Sequence, residues 1–299
     1  MRKFWVWVLV PVLIAFLGGV CVASAGSTGA TFLKIWVGAR FEALGGASVA
    51  IPDGAEAMNS NIAGLMSLKT PDVTLMHNEY MMDMTQEYAA FGMPLNKKSA
   101  IGASLIFVDA GTFYGFTAAN QPTGTFTAKD MAFSVGYALS VRDDVNIGAA
   151  VKYVKSEIAN ESASTIALDA GAVWTLPKSP WTLGISITNV GSGLKFIAEE
   201  DDLPTTLTIG TAYRFEKEPV LVTGQVSFPK SDDAIMNFGA EYTLMDVLRL
   251  RAGYNSSNDL DNGFTFGMGF AEKNYRVDYG YVPLGVFGDS HRFSLSVAF

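Results

Sequence analysis

From residue 71 onward, apolar and polar positions alternate with a period of two, in segments separated by turn-forming residues. Residues 131–140 put Met131, Phe133, Val135, Tyr137 and Leu139 on one face and Ala132, Ser134, Gly136, Ala138 and Ser140 on the other. The same holds for 145–154, for Leu248, Leu250, Ala252 and Tyr254 against Arg249, Arg251, Gly253 and Asn255, and for Tyr275, Val277, Tyr279 and Tyr281 against Arg276, Asp278, Gly280 and Val282. Period two with one apolar face predicts strands; a helix would not produce it. About fourteen such segments follow one another, each near the roughly ten residues that a tilted membrane-spanning strand needs.

A soluble sandwich would alternate in the same way, so the connections decide. Short turns occur at Asn96–Ser99, Arg142–Asp144, Pro177–Pro180, Glu216–Glu218, Met245–Val247 and Glu272–Asn274. Between them lie mostly longer links, at 110–130, 157–164, 191–204, 256–262 and 284–290, although those near Met82–Met84 and Lys230–Asp233 are short. Short periplasmic turns alternating with longer external links are the rhythm of an outer-membrane barrel. Trp174, Trp181, Tyr213, Phe215, Tyr242 and Tyr275 cluster at the short turns, where amphipathic rings would form a girdle at the membrane interface. The expected fold is all-β, a closed antiparallel transmembrane barrel of about fourteen strands over residues 71–299, with both ends periplasmic.

The N-terminus changes the picture of where the chain works. Arg2 and Lys3 precede an apolar run from Phe4 to Val22, and Ala23-Ser24-Ala25 follows. That is a secretory signal with its cleavage site, so residues 1–25 are expected to be removed. A retained anchor is disfavoured by the small residues at the cleavage positions. A lipoprotein is disfavoured by Val20 before Cys21, so the single cysteine is expected to leave with the signal. The remaining residues 26–70 are rich in Gly, Ala and Asn and do not alternate. The chain is 49% hydrophobic and only 17% charged, yet beyond the signal no apolar run reaches helical spanning length, so its hydrophobicity is that of strands. A net charge of −8 argues against a nucleic-acid partner.

Catalytic chemistry is not expected. The histidines are His77 and His291, and no G-x-S-x-G elbow accompanies either. The acidic run Glu199, Glu200, Asp201 and Asp202, and the loop residues Asn255, Asn258, Asp259, Asp261 and Asn262, read as solvated links, since neither spacing matches a calcium loop. No metal or cofactor is expected. Arg249 and Arg251 fall on the inward face, where Glu241 on the neighbouring strand is a candidate partner. Gly102, Ser104, Gly148, Ala150, Gly171, Gly184, Ser186, Gly210 and Gly267 make the inward face small. Two readings stay open: room for contents, or relief of barrel curvature.

Particular motifs carry a family resemblance. Phe32-Leu33-Lys34-Ile35, Gly38-Ala39-Arg40, Ala43-Leu44-Gly45-Gly46-Ala47 and Asp53–Leu65 resemble the N-terminal region of the PorV/PorQ family, which groups with FadL-type barrels. Asn189-Val190-Gly191, Leu194-Lys195-Phe196, Leu203-Pro204, Val277–Tyr281 and Ser290–Leu295 extend the likeness along the chain. Asn61-Ile62-Ala63-Gly64-Leu65 departs from the family's N-P-A-G-L, so its turn lacks the locked φ of proline. The resemblance implies that residues 26–70 form a hatch inside the lumen, with Gly45, Gly46, Asn61, Ala63 and Gly64 as its gating residues. It implies a non-enzymatic role: handling of hydrophobic small molecules, or, alternatively, a type IX secretion accessory barrel that binds exported proteins, or a structural barrel. Outer-membrane lipid and the barrel-assembly machinery are the expected partners, and Phe299, ending the alternation Phe293, Leu295, Val297, is the expected assembly signal.

Overall fold

A computed structural model describes residues 28–258 and 260–299. The expected signal, residues 1–25, and Asp259 of the external loop lie outside the described residues. The strands are β1 (Asp72–Glu79), β2 (Thr85–Asn96), β3 (Ser99–Phe116), β4 (Pro122–Arg142), β5 (Val145–Ile158), β6 (Glu161–Thr175) and β7 (Trp181–Gly191). A two-stranded hairpin, β8 (Leu194–Lys195) and β9 (Glu200–Asp201), interrupts the series. It resumes with β10 (Thr206–Arg214), β11 (Val220–Pro229), β12 (Ile235–Leu244), β13 (Leu248–Asn255), β14 (Phe264–Glu272), β15 (Tyr275–Pro283) and β16 (Asp289–Ala298). Fourteen of these pair antiparallel, each with its neighbour, and β16 closes on β1 from Asp72↔Ala298 to Glu79↔His291. Closure leaves no open edge within the bilayer, where an unpaired backbone group would find no water.

The two faces divide as the alternation predicts. On β4, Phe133, Val135 and Tyr137 are 45, 51 and 46% exposed, whereas Ala132, Ser134 and Ala138 are 2, 3 and 0% exposed. The exposed apolar face is the lipid face, and the small residues look into the lumen. At the end where β1 begins and β16 finishes, Trp181 packs on Tyr213 and Tyr213 on Phe215, with centroids 4.7 Å apart in each pair. Trp174 donates its Nε1–H to Asp144 at 3.0 Å, an apolar body with a wet tip as an interfacial ring requires. No helix among the described residues is long and apolar enough to cross a membrane.

Two of the expected long links are mostly strand. The link at 110–130 is a hairpin: β3 and β4 continue pairing past Asp109↔Lys129, across a bulge, to Phe116↔Pro122. The Thr/Phe alternation there fits a pleated ribbon, and Phe113 stacks on Phe126 at 5.5 Å. The link at 157–164 shrinks to the turn Ala159-Asn160, because β5 and β6 pair out to Ile158↔Glu161. The acidic run 199–202 is likewise part of a hairpin, not a free loop, with Leu194↔Asp201 and Lys195↔Glu200 paired.

Candidate functional site

The segment from Thr28 to Pro71 fills the lumen. At the external end, Gly29 donates its backbone N–H to Asp202 O at 2.9 Å and Lys34 reaches Asp232 at 2.7 Å. The chain then descends through a helical turn, Ala39–Ala43, against β13–β16. Phe41, Leu44, Val49, Ala50 and Ile51 pack on Ala212 and Leu221 of β10 and β11. Ala57, Met58, Ile62 and Leu65 pack on Ala100, Ala138 and Ala150 of β3–β5. The segment is too short to hold a core of its own. Each large side chain buried against the wall contributes about 1.5–3 kcal/mol, so the barrel is the other half of its core.

The inward glycines are where that fit is made. Gly92, Gly102 and Gly136 are paired in succession around the wall, as are Gly148 with Gly171 and Gly239 with Gly253. A Cβ at Gly148 would come within 2.7 Å of the Ile62 carbonyl carbon. At Gly184 it would meet the Val49 carbonyl, at Gly171 Asn61 Oδ1, and at Gly253 the Gly45 nitrogen. The small inward face therefore makes room for contents, and curvature alone does not account for it.

Each expected gating residue touches this wall or the turn beside it. Gly45, at φ +70°, donates its N–H to Thr265 Oγ1 at 3.0 Å and accepts from Asn237 Nδ2 at 2.5 Å. A Cβ there would lie within 2.6 Å of the Tyr254 nitrogen, so positive φ and close approach both demand glycine. Gly46, at φ +85°, supports Trp36. Asn61 caps the following turn by accepting from Ala63 N at 3.3 Å. Its Nδ2 donates to Val49 O at 2.9 Å and to Ala172 O of the wall at 3.0 Å. Without proline the turn is held by this side chain. Ala63 is fully buried and Gly64 packs against Ala57.

Below lies a closed ring of alternating charge. Arg40 grips Glu241 with Nε and Nη2 at 2.9 and 3.0 Å, and Glu241 is bonded to Arg251 at 2.8 Å. Arg251 meets Asp278 at 2.7 Å, Asp278 meets Arg276 at 2.9 Å, and Arg276 meets Asp53 at 2.5 Å. Asp53 returns to Arg40 at 2.7 Å. Arg40 and Asp53 belong to the plug; the other four stand on β12, β13 and β15. The expected Arg251–Glu241 pair is therefore one side of a larger ring. Arg249, the other arginine expected inward on β13, makes no ion pair among the described residues. The sequence signal for the rest was charge at inward strand positions together with charge in a Gly/Ala-rich segment.

Three arginines balance three carboxylates, which leaves Glu56 in excess. It reaches Arg276 Nη2 at 3.2 Å while its Oε1 has no partner. Burial raises its pKa from 4.5 to about 8, with the neighbouring Asp53 and Asp278 adding to the effect. Burial also opposes the Asp53 anion, but Arg276 and Arg40 hold its carboxyl well below the usual range. A raised carboxyl contributes stability that is full below pH 4.5 and lost as pH rises to about 8. Glu56→Gln is therefore expected to flatten the pH dependence of urea unfolding over that window and to exceed the native protein in stability at pH 9. Lower stability of the variant at pH 9 would contradict the raised pKa of Glu56.

Between the ring-bound plug and the external end lies a cavity of about 920 Å³. Phe32, Leu33, Ile35 and Trp36 overhang it, and Ser48, Val49 and Ser60 form part of its floor. Beside it, the register of β6 and β7 slips at Asn189, whose φ is +59°. Lys152 bonds Asp169 at 2.8 Å and Asn189 Oδ1 at 2.7 Å, satisfying the charges buried at this irregularity. His77 is bonded to Glu87 at 2.6 Å and His291 to Tyr279 at 2.8 Å, neither to a serine, threonine or cysteine. No group of three or more metal-ligating side chains occurs among the described residues. Phe299 stands exposed just beyond β16, its N–H bonded to Pro71 O at 2.9 Å.

Comparison with known proteins agrees with this architecture. The family described as "Type IX secretion system protein PorV" matches residues 23–227. No curated protein matches the chain. Among solved structures, the toluene transporter TbuX of Ralstonia pickettii superposes with a TM-score of 0.65 at 15% identity, covering 88% of this chain and 98% of that one. The Pseudomonas putida toluene transporter TodX gives 0.63 at 14% identity, covering 87% and 96%. A Pseudomonas aeruginosa FadL homologue gives 0.56 at 12%, covering 85% and 95%. At such identities the likeness is one of fold.

Proposed function

The chain belongs to the PorV family and lies in the bacterial outer membrane, and from that premise we propose that it is a non-enzymatic barrel whose lumen receives small hydrophobic or amphipathic molecules. The cavity of about 920 Å³ between the plug and the external end carries this reading. Its volume suits a small ligand. The plug below it is the gate, with Gly45, Gly46, Asn61, Ala63 and Gly64 as the contacts that keep it seated. The transporters that share the fold support the same direction.

A second reading has its own support. The family's description names type IX secretion, so an accessory role in receiving exported proteins is the competing function. Cells lacking the protein separate the two. Slower entry of an apolar probe with unchanged surface proteins is expected; loss of surface proteins with unchanged entry would replace the first reading with the second.

Phe299 is the proposed signal to the barrel-assembly machinery, since it extends the lipid-facing row of the closing strand. Phe299→Asp is expected to reduce heat-modifiable protein in outer-membrane fractions several-fold. Native levels of folded variant would refute that role.

A further inference from the structure

The cavity has two unlike walls. One side is mainly apolar: Met81 and Met84 from the link between β1 and β2, Val108 of β3, and Val282 and Leu284 at the end of β15, beneath Phe32 and Trp36 of the overhang, with Asp130 of β4 and Arg292 of β16 among them. The other, on β7, β10 and β11, presents hydroxyls: Ser186, Thr188, Thr206, Thr208 and Ser227. Thr208 and Ser227 share one hydrogen bond at 3.0 Å and Thr206 donates to Pro204 O at 3.0 Å, which leaves acceptor capacity on each oxygen. Ser60, in the floor, has a buried hydroxyl without a partner.

The cations of the lining are already matched. Lys34 is held by Asp232 at 2.7 Å, Lys152 by Asp169 at 2.8 Å, and Arg292 by Glu42. No lining cation is spare, while Asp130 and Asp233 make no ion pair among the described residues. A ligand carboxylate would enter without a free counter-ion and face excess negative charge, which costs more the deeper it is held from water. A pure hydrocarbon would satisfy the apolar wall but leave the hydroxyl wall stripped of water and unbonded.

We propose that the cavity binds an uncharged amphipathic molecule, an apolar or aromatic body carrying a hydroxyl, in preference to a hydrocarbon or a carboxylate. This rests on the reading that the cavity receives small molecules. The apolar body lies against Val108, Met84 and Trp36, and the ligand hydroxyl bonds the Thr208–Ser227 pair.

Trp36 provides the readout, because the other tryptophans beyond the expected signal, Trp174 and Trp181, stand at the opposite end of the barrel. The full chain in lipid nanodiscs is titrated with 4-nitrobenzyl alcohol, 4-nitrotoluene and 4-nitrobenzoate, which quench tryptophan fluorescence. Subtracting the Trp36→Phe titration removes quenching at the girdle and through lipid. The alcohol is expected to bind about fivefold more tightly than the toluene, the scale of one net hydrogen bond. The benzoate is expected to bind weakest. Thr208→Val with Ser227→Ala should erase the alcohol's advantage without weakening the toluene; Ser227→Ala alone, a milder change, should reduce it. Tighter binding of the toluene or the benzoate overturns the proposal and leaves the small-molecule reading intact. Failure of all three to quench Trp36 overturns both.

Discussion

Arg276→Met is expected to destabilise the folded protein by about 3–5 kcal/mol, the cost of removing one partner from a buried ion pair and stranding the other. Here three groups lose a partner: Asp53 at 2.5 Å, Asp278 at 2.9 Å and Glu56 at 3.2 Å. Asp278 keeps Arg251 and Asp53 keeps Arg40, so the ring opens at one point and Glu56 is left to stay protonated. Because Asp53 and Glu56 belong to the plug and Arg276 to β15, the damage concentrates at the plug–wall junction. The urea midpoint should fall, and the segment 47–60 should become open to added protease while the barrel remains heat-modifiable. Arg276→Lys keeps the charge but not the fork and should fall between the two. A loss below about 1 kcal/mol with an unchanged cleavage pattern would show that the ring does not hold the plug.

Deleting residues 28–68 should have the larger functional effect. The strands from β1 to β16 pair among themselves, so the barrel is expected to close and insert without the plug. The inward face it leaves is made of small residues, so little would refill the lumen. Entry of small polar solutes should rise on the order of tenfold or more, since barrels of similar strand number conduct when nothing fills them. Selectivity for apolar over polar probes should be lost with it. If the truncated barrel inserts and its permeability matches that of the intact protein, the plug has no gating role and is only a support for the wall. Gly253→Val offers a gentler form of the experiment, because its side chain would meet the Gly45 backbone and push that part of the plug inward.

Everything that depends on a local period was legible in the amino-acid order. Alternation assigned Phe133 to lipid and Ser134 to the lumen. The rhythm of turns and links, with aromatics at the short turns, distinguished a closed barrel from a sandwich. A bilayer allows strands no other solution than closure, so the local pattern was enough to give the architecture. The resemblance of residues 32–65 to a known family added the plug, which periodicity could show only as a failure to alternate. Where local pattern misled, it was through composition: the Gly/Thr-rich stretch at 110–130 reads as a link, yet cross-strand pairs such as Phe113 with Phe126 keep it a ribbon.

Which distant residues share a height in the lumen is set only in the folded chain. Arg40 and Glu241 are 201 positions apart, and Asp53 and Arg276 are 223 apart. Period two says that Glu241, Arg251 and Asp278 point inward. It does not say that the stagger of β12, β13 and β15 brings them level, or that the plug passes at that level with Arg40 and Asp53. The two-walled cavity has the same origin, since its hydroxyl and apolar sides lie on arcs of the barrel that meet only when the sheet closes. Facing is a property of each residue and its neighbours, whereas level and company are set by stagger, closure and the path of the plug, and these exist only in the folded chain.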